Sequence, residues 1–195
     1  AFSQVKVLFD ATKHEMAGNA DWVIDADAWT NNMRAYPCTG YTNESLPGRY
    51  PTPSQSGITS STSETYWTVG ISAFGVDIIK TWGQTWTVES LPTGASITYG
   101  DGGNAQDLGN YDGFIICEPQ NQFTAAEKAA IISFVQNGGG LFMIADHETS
   151  DRDCDGWDAP KVFNDLTGAT SATSAGIFGI WFRVDGLENK GSEDW

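Results

Sequence analysis

Residues 113–146 read GFIICEPQNQFTAAEKAAIISFVQNGGGLFMIAD, and this stretch decides the fold class. Its two ends, GFIICEP (113–119) and GLFMIAD (140–146), are near-continuous apolar runs, which is the pattern of strands buried on both faces of a parallel sheet. Between them, Thr124 and Glu127 form a capping box that opens a helix, and a run of three glycines marks its end. A strand, a helix and a second strand in this order predict a parallel pair joined by a crossover.

The rest of the chain repeats this alternation. VKVLFD (5–10), WTVESLP (86–92) and SAGIFGIWFRVD (174–185) each predict a strand. A second capping box, formed by Ser61 and Glu64, predicts a long helix that continues to about residue 83. Strands that alternate with helices predict a single three-layer α/β domain over residues 1–195.

Residues 26–60 fit this alternation least well. They hold YPCTGYTNESLPGRYPTPSQSG, with four prolines and several turn signals. A loop of this length inside a compact domain is usually functional or an insertion. We therefore predict a loop-rich insertion at about residues 26–60.

Composition narrows the classes of partner. Ten Lys and Arg stand against 25 Asp and Glu, so the formal net charge is −15. Such a chain repels the phosphates of nucleic acids and of anionic membranes, and it favours cations. No segment approaches the roughly 20 apolar residues that cross a bilayer. We expect neither nucleic acid nor membrane as a partner.

The start of the chain and its composition predict a secreted protein. The sequence begins Ala-Phe-Ser without a methionine, as a mature protein does after its signal peptide is removed, although a trimmed chain would begin in the same way. Few basic residues, 22 glycines and many serines and threonines also fit an extracellular protein.

Three cysteines allow at most one internal disulfide. Cys38 and Cys154 both lie in loop-like sequence and are the favoured pair, with no disulfide at all as the alternative. Cys117 ends the apolar run FIIC and is typical of a buried, inert thiol. A thiol hydrolase built on Cys117 is disfavoured, because burial in an apolar strand raises the pKa of a thiol and keeps it protonated.

DRDCDGWD (151–158) has the form D-x-D-x-D-G-x-D, and its first six positions are those of a calcium loop. Carboxylates at alternating positions surround one hard cation, and a glycine permits the sharp turn. Val162 stands where an EF-hand needs a bidentate Glu, so this is not an EF-hand. The alternative is a solvated acidic loop, but mutual repulsion of the acids favours a bound Ca²⁺. The predicted ligands are Asp151, Asp153, Asp155, Trp157 through its carbonyl, and Asp158.

His14 and His147, the two histidines of the chain, both follow predicted parallel strands. The carboxyl ends of such strands line the crevice in which open α/β sheets bind ligands. Two interpretations stay open: a divalent transition-metal site, or a general acid and base without metal. Carboxylates from Asp10, Glu15, Asp146 or Glu148 would complete the metal site. The candidate catalytic residues are His147, His14, Asp146, Asp10 and Glu118.

Aromatic residues in polar, loop-like sequence are candidates for stacking on sugar rings. No G-x-S-x-G nucleophile turn accompanies them. The aromatic candidates are Trp29, Tyr36, Tyr41, Tyr50 and Trp157.

NYDGFIICEP (110–119), TAAEKAAIISFVQNGGGLFMIADH (124–147) and VKVLFDATKHEMAGNADW (5–22) resemble the glutamine-amidotransferase-like superfamily, in particular its ThuA-like branch. The shared pattern is a Y-D-hydrophobic strand, a helix that opens with T/S-x-x-E, and a glycine run that leads into another strand. The resemblance implies a flavodoxin-like, doubly wound sheet whose site lies at the strand ends.

The chain departs from that superfamily at the catalytic turn. Amidotransferases place a cysteine after the glycine-fed strand, whereas Asp146 and His147 stand there in this chain, so glutamine hydrolysis is not implied. The ThuA-like branch similarly lacks that cysteine and is associated with carbohydrates, which implies a carbohydrate or related ligand.

Two functions follow as expectations. The first is a secreted, calcium-binding hydrolase that cleaves glycosidic or ester bonds in a carbohydrate or other extracellular polymer. The second is a non-catalytic, calcium-stabilised module for carbohydrate binding or assembly. The enzyme requires His14 and His147 to converge over an open cleft, and the binding module does not.

Overall fold

A four-stranded, all-parallel sheet forms the centre of the molecule. The computed structural model describes residues 4–17, 20–21, 52–67, 71–145, 151 and 154–183. The strands of this sheet are β1 (Val5–Asp10), β4 (Trp86–Leu91), β5 (Gly113–Cys117) and β6 (Gly140–Ile144), and a separate antiparallel ribbon consists of β2 (Met16–Ala17) and β3 (Ala20–Asp21).

Helices cover both faces of the sheet. They are α1 (Ser72–Trp82), α2 (Ala125–Gln136) and α3 (Ala159–Thr167). Successive side chains of β1 point to opposite faces, so Leu8 packs in the core that contains α2 and α3, whereas Phe9 packs in the core that contains α1. The molecule is therefore a three-layer, flavodoxin-like α/β fold, as the sequence predicted.

The order of the strands creates a switch point between β1 and β5. The sheet runs β4-β1-β5-β6, which is 2-1-3-4 when these four strands alone are numbered along the chain. The chain leaves β1 through α1 toward β4 on one side, and it leaves β5 through α2 toward β6 on the other. Ligands of open α/β sheets bind outside the carboxyl ends of two such strands.

The predicted strand-helix-strand unit forms as its sequence indicated. The side chain of Thr124 accepts a hydrogen bond from the Glu127 N–H at 3.3 Å, and Glu127 accepts one from the Thr124 N–H at 2.8 Å. Ile131 and Phe134 are buried against the sheet. Gly138, two residues after the end of the helix, has a φ of +96°. β5 and β6 then pair in parallel register.

The helix predicted to open at Ser61 begins ten residues later than its capping box would place it. Ser63, not Ser61, caps a short 3₁₀ helix at Glu64–Tyr66, and Trp67 then takes an extended backbone and buries its indole beside α1. Before it, the Thr62 N–H donates to the Thr59 carbonyl at 3.0 Å and closes a turn. Local hydrogen bonding by serines and threonines, together with burial of the tryptophan, replaces the first turns of the predicted helix.

The strand predicted at residues 174–185 is wrong for its described part. Residues 176–179 form turns, in which Gly176 and Gly179 have φ values of +68° and +69°. The side chain of Asn164 on α3 donates to the Phe182 carbonyl at 2.7 Å and accepts from the Phe182 N–H at 2.8 Å. Because a side chain takes both backbone groups of Phe182, the segment packs on α3 and does not extend the sheet.

The predicted insertion at 26–60 is described only at residues 52–60, which form turns and irregular backbone; residues 26–51 lie outside the described part. None of the helices in the described ranges is both long enough and apolar enough to cross a membrane.

Candidate functional site

Buried polar side chains gather where β1 and β5 end. Asp10 is the last residue of β1, His14 and Glu15 lie on the loop after it, and Glu118 directly follows β5. All four are buried, and Glu15 has no exposed surface. The carboxyl ends of β1 and β5 form the switch point of the sheet, and three of the predicted catalytic residues, Asp10, His14 and Glu118, lie at this edge, which we call the crevice.

Backbone hydrogen bonds fix the loop after β1 to both of its neighbours. The Ala11 N–H donates to the Leu91 carbonyl of β4 at 3.0 Å. On the other side, the Lys13 carbonyl accepts from the N–H groups of Gln120 and Asn121 at 2.7 and 3.1 Å. Within the loop, the Lys13 N–H donates to Glu15 at 2.8 Å. The loop is therefore a fixed part of the crevice wall.

Two residues of the crevice have left-handed backbone conformations. His14 has a φ of +59° and Glu118 a φ of +55°. For residues other than glycine this region costs on the order of 1 kcal/mol or more, and it is retained where the surrounding structure holds it. The two positions follow the two strands that define the switch point, so the unfavourable backbone coincides with the predicted site.

A buried ion pair fastens the same loop to α2. The Lys13 ammonium lies 2.8 Å from both carboxylate oxygens of Glu127, the residue that also completes the capping box of α2. Burial alone would raise the pKa of Glu127, but hydrogen bonds from Lys13 and Thr124 outweigh it and lower the pKa. One carboxylate therefore orients the start of a helix and holds a loop of the crevice.

Burial dominates the electrostatics of Asp10. It raises the pKa of the Asp10 carboxyl, while the nearby Thr12 and Glu15 side chains, the Thr12 N–H and the charge of Lys13 act in the opposite direction. The Thr12 N–H donates to Oδ1 of Asp10 at 3.0 Å. Oδ2 of Asp10 and Oγ1 of Thr12 belong to neighbouring side chains. Neither oxygen makes a well-formed hydrogen bond with any described residue.

Cys117, the last residue of β5, is a free and buried thiol, as the sequence predicted. Burial raises its pKa far above the usual range, and the negative charges of Glu118 and Glu15 act in the same direction. A thiol in this setting stays protonated and is a poor nucleophile.

Several predicted residues lie outside the described part of the chain, so the convergence of the two histidines, the disulfide partner and most of the aromatic surface stay predictions. Cys154 is disulfide-bonded. The predicted residues outside the described ranges are Trp29, Tyr36, Cys38, Tyr41, Tyr50, Asp146, His147, Glu148 and Asp153.

The predicted calcium loop closes on itself. Asp151 accepts from the Gly156 N–H at 2.8 Å, and Asp155 accepts from the Trp157 N–H at 2.8 Å. Gly156 has a φ of +95°, the sharp turn that its place in the motif predicted. Trp157 itself packs against the core that contains α2 and α3.

Asp158, the last predicted calcium ligand, caps α3. Its Oδ1 accepts from the Lys161 N–H at 3.1 Å, and its Oδ2 lies 2.9 Å from the Lys161 ammonium, with the carboxylate fully buried. Across the described ranges, no three His, Cys, Asp or Glu side chains are arranged to hold a metal ion. The calcium site, whose Asp153 is outside those ranges, stays a prediction.

An apolar groove lies at the opposite ends of the strands. It has a volume of about 370 Å³ between α1 and the sheet, and its lining includes Phe74, Trp82, Trp86 and Phe142. Trp82 is 56% exposed and stacks on Trp86, with ring centroids 5.3 Å apart. The sequence did not predict this surface, because Trp82 ends an amphipathic helix and its exposure depends on how that helix packs.

The sequence also did not predict Thr12, Lys13 and Glu127 as parts of the crevice wall. Their only signal was position: Thr12 and Lys13 follow a strand end directly, and Glu127 belongs to a capping box. No protein-family model, curated protein or solved structure matches the chain. The resemblance to the glutamine-amidotransferase-like superfamily therefore stays a hypothesis.

Proposed function

We propose that this chain is a secreted hydrolase that cleaves a glycosidic or ester bond in a carbohydrate or another extracellular polymer. The observation that carries the proposal is the burial of Asp10, Glu15 and Glu118 around the His14 loop at the switch point. Buried carboxyl groups are costly, and enzymes keep them where charge or protons must be controlled.

His14 is the residue to which we assign proton transfer. Histidine is the side chain best suited to give and take protons near neutral pH. Asp10, which ends β1, and Glu118, which follows β5, are the carboxyl groups at the same edge of the sheet as the His14 loop. Cys117 has no part in the proposal, because its thiol stays protonated.

Secretion and a carbohydrate ligand belong to the same proposal. A disulfide at Cys154 supports an oxidising compartment, where structural disulfides persist. The carbohydrate class rests on the resemblance to the ThuA-like branch, which the 2-1-3-4 strand order supports at the level of the fold.

The test is a panel of polysaccharides and aryl esters assayed with wild type, His14→Asn and Glu118→Gln. Asparagine tolerates the left-handed backbone at position 14, so His14→Asn removes the imidazole with little strain. Loss of a proton-transfer group lowers kcat/KM by about 10²-fold to 10⁴-fold. Asp77→Asn, on the exposed face of α1, is the matched control and keeps full activity. Activity that survives His14→Asn unchanged contradicts the assignment.

The second candidate is a non-catalytic carbohydrate-binding module, which the exposed Trp82 favours. A flat aromatic side chain beside an apolar groove is a platform on which sugar rings stack. In a pull-down with insoluble polysaccharides, this module loses binding on Trp82→Ala and keeps it on His14→Asn. Because groove and crevice lie at opposite ends of the strands, one pair of variants separates the two functions.

A further inference from the structure

We infer that the end of β1 binds a hard divalent cation of the Mg²⁺ class through Oδ2 of Asp10 and Oγ1 of Thr12, with Glu15 as the adjoining carboxylate. Asp10 is 1% exposed and Thr12 is 8% exposed. Neither oxygen makes a well-formed hydrogen bond with a described residue. The inference concerns binding and does not rest on the proposed hydrolase activity.

Two neighbouring oxygens that are buried without a well-formed hydrogen bond need an explanation. Most buried polar atoms in native proteins have a partner, and an unsatisfied one costs about 1–3 kcal/mol. The Thr12 N–H donates to Oδ1 of Asp10 at 3.0 Å, whereas Oδ2 makes no well-formed hydrogen bond. The Thr12 hydroxyl lies beside the same carboxyl group. One cation would bind Oδ2 of Asp10 and Oγ1 of Thr12 at the same time.

The charges of the crevice also favour a cation. Asp10, Glu15 and Glu118 are buried at the ends of β1 and β5, and the Glu15 side chain interacts with Asp10. The Lys13 ammonium is bound to both oxygens of Glu127. A divalent ion would hold the Asp10 carboxyl ionised against the effect of burial.

The donor set selects the class of ion. Carboxylate and hydroxyl oxygens are hard ligands, and Mg²⁺ typically takes one or two carboxylates and keeps several waters. The site differs from a transition-metal centre on His14 and His147 because it uses no imidazole nitrogen.

The experiment is calorimetric titration of the EDTA-treated and dialysed full chain with Mg²⁺, repeated with Mn²⁺ followed by electron paramagnetic resonance. Wild type is expected to bind one ion at this site. Thr12→Val keeps the side-chain shape but removes the oxygen, and its affinity falls at least about tenfold, as does that of Asp10→Asn. Asp155→Asn, in the predicted calcium loop, is the matched control and keeps the site.

Thermal unfolding in EDTA separates ligation from a structural role. If Oγ1 of Thr12 has no partner without the ion, Thr12→Val unfolds at the same temperature as wild type or higher. The inference is overturned if wild type binds neither ion, if Thr12→Val binds as wild type does, or if binding is lost in Asp155→Asn alone. A lower melting temperature of Thr12→Val in EDTA also overturns it, since the hydroxyl would then be hydrogen-bonded within the protein.

Discussion

Several loops of this molecule are held by a single carboxylate that accepts more than one hydrogen bond. The donors lie in the same loop or far away in the sequence. Asp107 is the clearest case outside the crevice. Its side chain accepts from the Thr98 hydroxyl at 2.7 Å and from the N–H groups of Gly100, Asp101 and Gly109 at 2.8–2.9 Å. Burial alone would raise the pKa of Asp107, but these four hydrogen bonds outweigh it and lower the pKa. One side chain thus holds the loop that leads into β5.

Asp107→Asn should destabilise the fold by about 1–3 kcal/mol near neutral pH, because an amide cannot accept all four hydrogen bonds. Since the folded-state pKa is depressed, the stabilisation by the carboxylate is present above the ordinary aspartate pKa and is lost as pH falls through the folded-state value. In urea unfolding, the free energies of wild type and variant should therefore converge as the pH falls below the ordinary pKa of aspartate. Asp101→Asn, an exposed acid of the same loop, is the control. If the difference in free energy of unfolding between wild type and Asp107→Asn stayed constant with pH, the charge of Asp107 would have no role in stability.

At the scale of elements, the sequence predicted those parts whose signals are local. β5, α2 and β6 follow from two apolar runs and a capping box, and Thr124 and Glu127 make the predicted hydrogen bonds. Two other features depend on contacts between distant residues. The late start of α1 depends on the burial of Trp67, and the absence of a strand at 174–183 depends on the two hydrogen bonds between Asn164 and Phe182. Propensity cannot report such contacts, because they form only after the chain has packed.

The candidate site divides in the same way. Asp10, His14 and Glu118 were predicted because parallel strands bring their carboxyl ends to one edge of the sheet. The pairing of Lys13 with Glu127 was not predicted, because it joins residues 114 positions apart. Which side chains support a site is decided by packing between elements, and a single sequence carries no local signal for it.

The start of α3 provides a prediction at this scale. Asp158 caps the helix and pairs with Lys161, so Asp158→Ala should lower the free energy of unfolding by about 1–2 kcal/mol. If capping is its only role, chemical unfolding gives the same loss in calcium and in EGTA. Thr124→Ala on α2 is the matched control, since it removes a cap far from the acidic loop. A loss confined to calcium-containing buffer would make Asp158 a calcium ligand.

For the whole molecule, the predicted calcium loop offers a test of global stability. An ion bound only by the folded state raises the melting temperature, by about 5–10 °C near 100 times Kd for a chain of this size. EGTA should lower the melting temperature of wild type, and added calcium should restore it. Asp155→Asn should be insensitive to both, whereas Thr12→Val should respond as wild type does. Equal melting temperatures of wild type in EGTA and in calcium would contradict the calcium loop.

The two candidate functional surfaces lie at opposite ends of the strands. Buried acids and His14 lie at the carboxyl ends, and the exposed Trp82 lies at the amino ends. The sheet holds these two surfaces apart, so substitutions at one end leave the other intact. This separation is what allows the hydrolase and the binding module to be tested independently.

The position of β6 bears on how the purified protein behaves. Within the described ranges β6 is an edge strand, its sequence GLFMI carries neither charge nor proline, and Phe142 at its centre is half exposed. Natural edge strands usually carry a lysine, a proline or a bulge that prevents pairing with other chains. Concentrated solutions and slow refolding therefore favour edge-to-edge self-association through β6, and Phe142→Lys is the substitution that improves solubility without touching the crevice.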